Sequence, residues 1–225
     1  MPAIGLKASM AGTSPRFAFH AAQEADSLRL ATWLAAQAQA GWLIFLNGDL
    51  GAGKTAFARG FIKAKCGPNT RVPSPSFTLV QPYETCTPPV LHSDLYRLGE
   101  ATEVEELGLL EALDSHICLL EWASRAEDIL PTPSVTVSLS MVEDAPDARQ
   151  ITIEAAPEII AALRAAQARD EALQTFLTQA GWGAATRANL AGDAATRRYE
   201  RLTEAGGRQG VLMDWAKGPD GPAIY

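Results

Sequence analysis

The chain has 225 residues, of which 47% are hydrophobic and 20% are charged, and its formal net charge at pH 7 is -7. This composition excludes an intrinsically disordered chain, and no apolar run approaches the roughly 20 residues that a membrane-spanning helix requires. An acidic chain is also poorly suited to hold RNA by neutralising phosphates alone, so we expect any RNA contact to be local or shared with a partner.

The N-terminal segment is rich in small residues and lacks the continuous apolar core of a signal peptide. We therefore predict a flexible lead-in over residues 1–19 and a cytoplasmic location. The cysteines are odd in number and lack metal-ligand or redox spacing, which predicts reduced thiols, and the histidines form no ligand pattern. These residues are Cys66, Cys86, Cys118, His20, His92 and His116.

The first predicted elements are a helix, a strand and a second helix. Apolar residues recur at three- and four-residue intervals over residues 24–39, which predicts an amphipathic helix, and Gly41 follows as its stop. The apolar run over residues 42–46 predicts a buried strand, and residues 56–62 continue as the second helix.

Between that strand and the second helix lies a phosphate-binding motif. Residues 48–55 read G-D-L-G-A-G-K-T and fit G-x-x-x-x-G-K-[ST] in full; a glycine-rich structural turn is the alternative. In such a loop, backbone N–H groups surround phosphate oxygens at the positive end of a helix. Lys54 is expected to reach the β- and γ-phosphates, and Thr55 to offer its hydroxyl to Mg²⁺. The predicted binding residues are Gly48, Asp49, Leu50, Gly51, Ala52, Gly53, Lys54 and Thr55.

A proline-rich segment and two short strands follow. Residues 67–76 contain prolines that forbid helix and hydroxyls that can reach a ligand, so we predict an ordered loop. Residues 77–80 predict a strand that is broken at Gln81 and Pro82. Residues 90–94 predict a second strand with a carboxylate at its end.

The remaining elements complete an alternating pattern. Residues 101–113 predict a helix with an acidic face, and the apolar run over residues 117–121 predicts a buried strand ending in a carboxylate. Residues 134–139 and 149–154 alternate in polarity, as expected for a hairpin or a sheet edge. Helix and strand in alternation predict a P-loop α/β fold, a mostly parallel sheet with helices on both faces.

We predict three regions along the chain. The lead-in is followed by an ATPase domain over residues 20–155 and by a short C-terminal α+β appendage over residues 156–225, which begins with an alanine-rich helix. An appendage of about 70 residues is near the lower limit for independent folding. It is therefore either docked on the first domain or a piece of something larger.

Two strand-end carboxylates are candidates for phosphate chemistry. Phosphoryl transfer to water requires a phosphate cradle, a metal between β- and γ-oxygens, and a group that orients the water. Asp94 and Glu121 end strands that, in a parallel sheet, emerge at the same edge as the loop, so we predict catalytic roles for both, together with Lys54. An acid that caps a nearby helix is the alternative, and the sequence leaves open which acid orients the water.

Further candidates surround these acids. The hydroxyls of Ser74, Ser76 and Thr78 either contact the γ-phosphate and Mg²⁺ from a switch-like loop or merely form a turn. Trp122 either stacks near the site or, as is more frequent after a core strand, packs. An N-K-x-D segment that reads guanine is missing from the sequence, so the predicted ligand is an adenine nucleotide, ATP.

Four segments together resemble the TsaE family, the ATPase subunit of the bacterial machinery that makes N6-threonylcarbamoyladenosine beside the tRNA anticodon. They read L-N-G-D-L-G-A-G-K-T, V-P-S-P-S-F-T-L-V, H-S-D-L-Y-R-L and I-C-L-L-E-W, and begin at residues 46, 72, 92 and 117. The resemblance covers residues 20–155. It implies an ATPase that is weak by itself and works with a TsaB–TsaD heterodimer, in which ATP binding and hydrolysis reset the complex while TsaD performs the transfer.

The resemblance also implies roles for particular residues. The family's Mg²⁺ contacts fall on Thr55 and Glu121, its essential aspartate on Asp94, and its switch-like loop on residues 74–76. Ser76 stands where the family usually has threonine, so the hydroxyl is kept but the methyl group that restricts χ1 is lost. We expect ATP binding and activity to survive this difference.

The C-terminal tail carries a second resemblance. Residues 192–199 and 210–214 are similar to the opening hairpin of aminoglycoside-phosphotransferase-like sugar kinases, which some bacteria fuse behind TsaE. The aspartates that such a kinase needs in its C-terminal lobe would lie past residue 225, so we expect no kinase activity. The tail is then a truncated remnant, or alternatively an accessory segment.

Other functions remain possible from the sequence. The chain could be a bifunctional TsaE and sugar-kinase protein whose kinase part is incomplete, or a small-molecule kinase that uses the same loop. A kinase would need an acceptor pocket and usually an arginine-rich lid, which the hundred or so residues after the loop do not show clearly. A module that holds ATP without turnover is a third possibility.

Overall fold

The computed structural model describes residues 15–190, 198–214 and 223–224. The chain divides into two compact units, Met1–Arg164 and Ala165–Tyr225. The boundary between them lies within a helix, about ten residues after the position that the sequence pattern indicated. None of the helices in the described part of the chain combines the length and apolar character that crossing a bilayer requires.

The first unit consists of strands and helices in near alternation. They are β1 (Arg16–Ala21), α1 (Glu24–Gln37), β2 (Leu43–Asn47), α2 (Lys54–Cys66), β3 (Val80–Tyr83), β4 (Val90–Asp94), α3 (Glu103–Glu106), α4 (Leu109–Ala112), β5 (Ile117–Glu121), a 3₁₀ turn (Ala123–Arg125), β6 (Val135–Val142), β7 (Ala145–Ala155) and the beginning of α5 (Pro157–Gln179).

The strands of this unit form one mixed sheet with the order β1-β7-β6-β2-β5-β4-β3. The four central strands β6, β2, β5 and β4 are parallel, while β7 and β1 on one side and β3 on the other are antiparallel to their neighbours. The predicted fold class is confirmed. Because β2 lies between β6 and β5, the loop that follows β2 emerges at the centre of one sheet edge.

Both faces of the sheet are covered, as the alternation of side chains along a strand requires. Ile44 and Leu46 of β2 belong to a core that includes residues of α1, α2 and α5, whereas Leu43 and Phe45 belong to a second core with residues of α3 and α4. The central strands are buried on both sides, which explains their continuous apolar runs.

The sequence misplaced two strands. Residues 77–80 were predicted as a strand broken at Gln81 and Pro82, but β3 contains both residues and begins only at Val80. Proline is tolerated there because β3 is the edge strand of the sheet, and an edge strand can lack one ladder hydrogen bond. Residues 16–19, assigned to the lead-in, lie in β1, where Phe17 and Phe19 point into the core.

The predicted helix over residues 101–113 is two short helices, α3 and α4. They are separated at Gly108, whose φ of +67° lies in the left-handed region that ends a helix. The predicted apolar face of Val104, Leu107, Leu110 and Ala112 is only partly correct, because the glycine interrupts the element and Leu109, not Leu110, is the buried residue of α4.

Two of the three cysteines are joined. Cys66, at the end of α2, forms a disulfide with Cys86, and their Cα atoms are 4.3 Å apart. The prediction of reduced thiols is therefore wrong for this pair, because a contact between the end of a helix and a distant loop leaves no spacing signal. Cys118 is free and buried in β5, and burial raises the pKa of its thiol to about 12.

The second unit confirms the predicted α+β appendage. Beside the later turns of α5 it has a sheet of β8 (Thr186–Asn189), β9 (Arg198–Thr203), β10 (Gln209–Asp214) and β11 (Ala223–Ile224), with neighbouring strands antiparallel. Leu177, Trp182 and Leu212 contribute to its core. Residues 192–197, which belong to the first segment of the kinase-like resemblance, lie outside the described residues.

Candidate functional site

The phosphate-binding motif forms the turn between β2 and α2. Gly48 has a φ of +143°, and a Cβ atom at this position would lie 2.3 Å from the carbonyl oxygen of Leu139. Only glycine fits where the loop passes so close to β6. The Lys54 ammonium donates to the carbonyl oxygens of Gly48 and Asp49 at 2.7 and 2.9 Å. The lysine side chain therefore connects the end of the loop to its first two residues.

Lys54 lies in a mixed aromatic and acidic environment. Its side chain is buried, and its Nζ is 4.0 Å from the centre of the Trp122 ring. Burial lowers the pKa of the Lys54 ammonium, and the carboxylates of Glu121, Asp94 and Asp49 oppose that shift. These acids therefore favour the charged form of the lysine, which is the form that binds phosphate.

The two strand-end carboxylates lie at the same sheet edge as the loop. β4 and β5 are parallel neighbours, and Asp94 is opposite Glu121 in their register, while Leu46, near the end of β2, is opposite Glu121 on the other side. The Thr55 hydroxyl at the start of α2 donates to Glu121 Oε2 at 2.9 Å. The structure thus brings both acids into one site with the phosphate loop.

Asp94 also holds the proline-rich loop. Ser76 donates its hydroxyl to Asp94 Oδ2 at 2.6 Å, and the backbone N–H of Tyr96 donates to Asp94 Oδ1 at 3.0 Å. The hydroxyls of Ser74 and Ser76 are 2.8 Å apart, so Ser74 reaches the acid through Ser76. Thr78 is exposed and lies in a turn, which agrees with the second of the two alternatives for these hydroxyls.

These groups surround a cavity of about 240 Å³. Its walls combine loop, helix and strand-end residues: Leu50, Gly51, Gly53, Lys54, Thr55, Ala56, Ser76, Asp94, Glu121 and Trp122. Trp122 also lines a neighbouring cavity of about 270 Å³ and contacts the ring of Tyr96 at 5.0 Å between centroids. Both alternatives for Trp122 therefore apply, because its ring lines the cavity and also packs against Tyr96.

Sequence reasoning missed the role of His92. Its Nε2 lies 2.9 Å from Glu121 Oε1, both side chains are almost fully buried, and its Nδ1 has no partner among the described residues. Glu121 is therefore held by Thr55 through one oxygen and by His92 through the other. The spacing of two between His92 and Asp94 was the available signal, since it places both on one face of β4.

We expect His92→Leu to lower the free energy of unfolding by about 1–3 kcal/mol, because Glu121 would lose a buried hydrogen-bond partner. His92→Gln is the matched variant, since its amide nitrogen can replace Nε2, and we expect a smaller loss. Urea denaturation followed by tryptophan fluorescence measures both. If the leucine variant is as stable as the parent protein, the hydrogen bond does not stabilise the fold.

The oxygen atoms of Thr55 and Glu121 suit Mg²⁺ better than they suit a metal ion that takes all its ligands from protein side chains. Across the described ranges, no group of three or more His, Cys, Asp or Glu side chains is arranged to hold a metal ion. Mg²⁺ in phosphate sites usually binds one or two protein oxygens and takes its other ligands from phosphates and water. The hard oxygens of Thr55 and Glu121, beside the phosphate loop, fit that requirement.

The comparisons with known proteins agree with the sequence motifs. A family model described as "Threonylcarbamoyl adenosine biosynthesis protein TsaE" matches residues 21–151. The TsaE protein of Rickettsia bellii is 43% identical over 121 residues, which are 54% of this chain and 84% of that protein. The TsaE protein of Bacillus subtilis is 39% identical over 131 residues, 58% of this chain and 80% of that protein. Both are named tRNA threonylcarbamoyladenosine biosynthesis proteins.

A solved structure shows the same likeness. The crystal structure of YdiB from Bacillus subtilis superposes with a TM-score of 0.58 at 28% sequence identity, covering 72% of this chain and 99% of YdiB. The family match ends before the second unit, so the resemblance of the tail to sugar kinases stays a prediction.

Proposed function

The chain belongs to the TsaE family of tRNA threonylcarbamoyladenosine biosynthesis proteins, and from this premise we propose that it is a Mg²⁺-dependent ATPase acting with TsaB and TsaD. The observation that carries the proposal is the contact between Thr55 and Glu121 at 2.9 Å, beside a phosphate loop that contains a buried lysine. A loop threonine paired with a strand-end acid is the arrangement that P-loop NTPases use for the metal of a bound nucleotide.

ATP is the proposed ligand of the loop. The backbone N–H groups at the start of α2 would cradle the phosphates, and Lys54 would exchange its two loop carbonyls for phosphate oxygens. Thr55 and Glu121 would hold Mg²⁺, which would supply positive charge to the polyphosphate when it is bound. His92 would keep the Glu121 carboxylate in place through its other oxygen.

Asp94 is proposed to orient the attacking water. Both acids line the cavity, but Glu121 is the one that contacts Thr55 and is therefore assigned to the metal, which leaves Asp94, held by Ser76 and the Tyr96 backbone, for the water. The water oxygen would bond to the γ-phosphorus as the bond to the β–γ bridging oxygen breaks, which yields ADP and phosphate. Asp94 would accept the water's hydrogen bond, and Lys54 would stabilise the charge on the phosphates.

The surroundings of the cavity support a protein partner. Leu50, Phe77 and Tyr96 are 75%, 84% and 51% exposed, and each lines the cavity or lies within two residues of a lining residue. Exposed apolar side chains grouped at one place are typical of interaction surfaces. We propose that TsaB and TsaD bind at this rim, that tRNA is reached through them, and that ATP binding and hydrolysis reset the complex.

The kinase alternatives are not favoured, since the relatives are named for tRNA modification. A module that binds ATP without turnover would differ from the proposal only in hydrolysis. Separate measurements of ATP affinity and of phosphate release therefore distinguish these two possibilities.

Co-purification tests the proposed partnership. We expect the tagged chain to retain TsaB and TsaD in the presence of Mg²⁺ and a non-hydrolysable ATP analogue, and to retain less of them with ADP. Phe77→Ser should weaken retention, because it removes the most exposed ring of the rim. Met141→Ser is the matched control, since Met141 is 56% exposed but does not line the cavity. Failure to associate under every nucleotide condition would contradict the proposal.

A further inference from the structure

Arg149, on β7, contacts the outer side of the phosphate loop. Its Nε donates to the carbonyl oxygen of Ala52 at 2.9 Å, and its Nη2 donates to that of Gly51 at 3.3 Å. Its Nη1 donates to the carbonyl oxygens of Pro146 and Ala148 at 2.6 and 2.7 Å, which holds the guanidinium against its own strand. We propose that Arg149 is a positioning residue that shapes the phosphate loop for di- and triphosphates, an inference that rests on the proposed ATP binding.

The hydrogen bonds to Gly51 and Ala52 determine how two peptide groups of the loop are oriented. In a trans peptide the C=O and the following N–H point in opposite directions. Holding the Ala52 carbonyl toward Arg149 therefore turns the N–H of Gly53 away from Arg149, to the side on which phosphate binds. The N–H of Ala52 closes the turn by donating to the Asp49 carbonyl at 3.1 Å. Arg149 thus supports the inward arrangement of N–H groups on which anion binding depends.

The charge of Arg149 acts in the same direction. All four of its hydrogen bonds go to neutral carbonyls, and within the described part of the chain no carboxylate forms a salt bridge with it. Its Nε would lie 3.8 Å from a Cβ atom placed on Gly53. A cation that no acid neutralises therefore lies directly behind the loop, where it attracts polyphosphate.

The β6–β7 hairpin contacts the phosphate loop on the side where Arg149 lies. The Leu139 carbonyl of β6 lies so close to Gly48 that no side chain fits between them, and Leu139 also approaches Gly53. Arg149 is opposite Met141 in the β6–β7 register, two residues beyond Leu139. In this hairpin β6 runs parallel to the central strands and β7 runs antiparallel to them. The return strand β7 brings Arg149 to a loop almost 100 residues earlier in the sequence.

The test compares nucleotide affinities of three variants with the parent protein by titration calorimetry in Mg²⁺. Arg149 acts on phosphate only through the loop, so we expect Arg149→Ala to weaken ATP and ADP binding by about tenfold to hundredfold, the range that one hydrogen bond to a charged group represents. AMP lacks the β-phosphate that the loop surrounds, so its affinity should change less. Arg149→Lys keeps the charge without the fork and should lose an intermediate amount.

Arg16→Ala is the matched control. Arg16 lies on β1, the strand paired with β7, and forms an exposed ion pair with Glu154 at 2.7 Å, so its removal should leave all affinities unchanged. Thermal unfolding of each variant separates loss of fold from loss of positioning. If Arg149→Ala does not fold, Arg149→Lys decides, and an ATP affinity equal to that of the parent overturns the inference.

The remaining outcomes are also decisive. An unchanged ATP affinity in folded Arg149→Ala overturns the inference while leaving the proposed function intact. An equal loss for ATP, ADP and AMP assigns Arg149 a general structural role and overturns positioning toward the β-phosphate. If the parent protein itself binds no ATP, the proposed function fails first, and this inference fails with it.

Discussion

ATP hydrolysis is expected to fall by about 100-fold or more in Asp94→Asn and in Glu121→Gln, while the affinity for ATP changes less than tenfold. Both substitutions keep the shape of the side chain and remove its charge. Asp94→Asn removes the carboxylate that is proposed to orient the water. Glu121→Gln removes the negative charge that is proposed to hold Mg²⁺ beside Thr55. Nucleotide binding depends mainly on the loop and should therefore persist.

The measurement separates phosphate release under saturating ATP from the dissociation constant of ATP, with Mg²⁺ varied in each case. Glu121→Gln should require more Mg²⁺ for half-maximal activity, whereas Asp94→Asn should not. Asp114→Asn is the matched control, because Asp114 is an exposed carboxylate that does not line the cavity. If neither turnover nor affinity changes in the two site variants, both carboxylate assignments are wrong.

Lys54→Ala is expected to weaken ATP binding by about tenfold to a few hundredfold, because a hydrogen bond to a charged group contributes about 1.5–3 kcal/mol. The ammonium is buried under Trp122 and bonded only within the loop, so it can reach phosphate oxygens without crossing the cavity. Among the residues that the structure describes, no other lysine lines the cavity to replace it.

Fluorescence titration with ATP, ADP and AMP measures this loss, and it should be largest for ATP. Lys63→Ala is the control, since it removes the same charge from the same helix at its far end. An equal loss in both variants would show that overall charge and not the position of Lys54 determines binding. The affinity of the parent protein for ATP should also fall with added salt, because salt screens the attraction between the Lys54 ammonium and the phosphates. This dependence on salt should be weaker in Lys54→Ala.

Much of the fold could be predicted because its elements carry local signals. The helix before β2, the central strands and the strand-end positions of Asp94 and Glu121 follow from the period of apolar residues and from turn residues. The phosphate loop is a contiguous motif, so its position needed no tertiary information. The rule that parallel strands end at one edge then correctly predicted that both acids meet the loop.

The errors share a different origin. Pro82 lies within β3 because that strand is at the sheet edge, and edge position is a property of the whole sheet. Cys66 and Cys86 pair because a helix end and a loop meet in space. Trp122 reaches Lys54 from the strand end beyond Glu121, a contact that the sequence left open between stacking near the site and packing.

The amino-acid sequence by itself determined the position of the phosphate-binding motif and of both strand-end acids, because the motif is eight consecutive residues and the acids need only a place at a strand end. Which groups hold that site in position was decided by tertiary structure alone. His92 contacts Glu121 across two strands, and Arg149 reaches Ala52 from a distant hairpin. Such contacts join positions far apart in the chain, where the identity of one residue carries no information about the neighbour that folding brings to it.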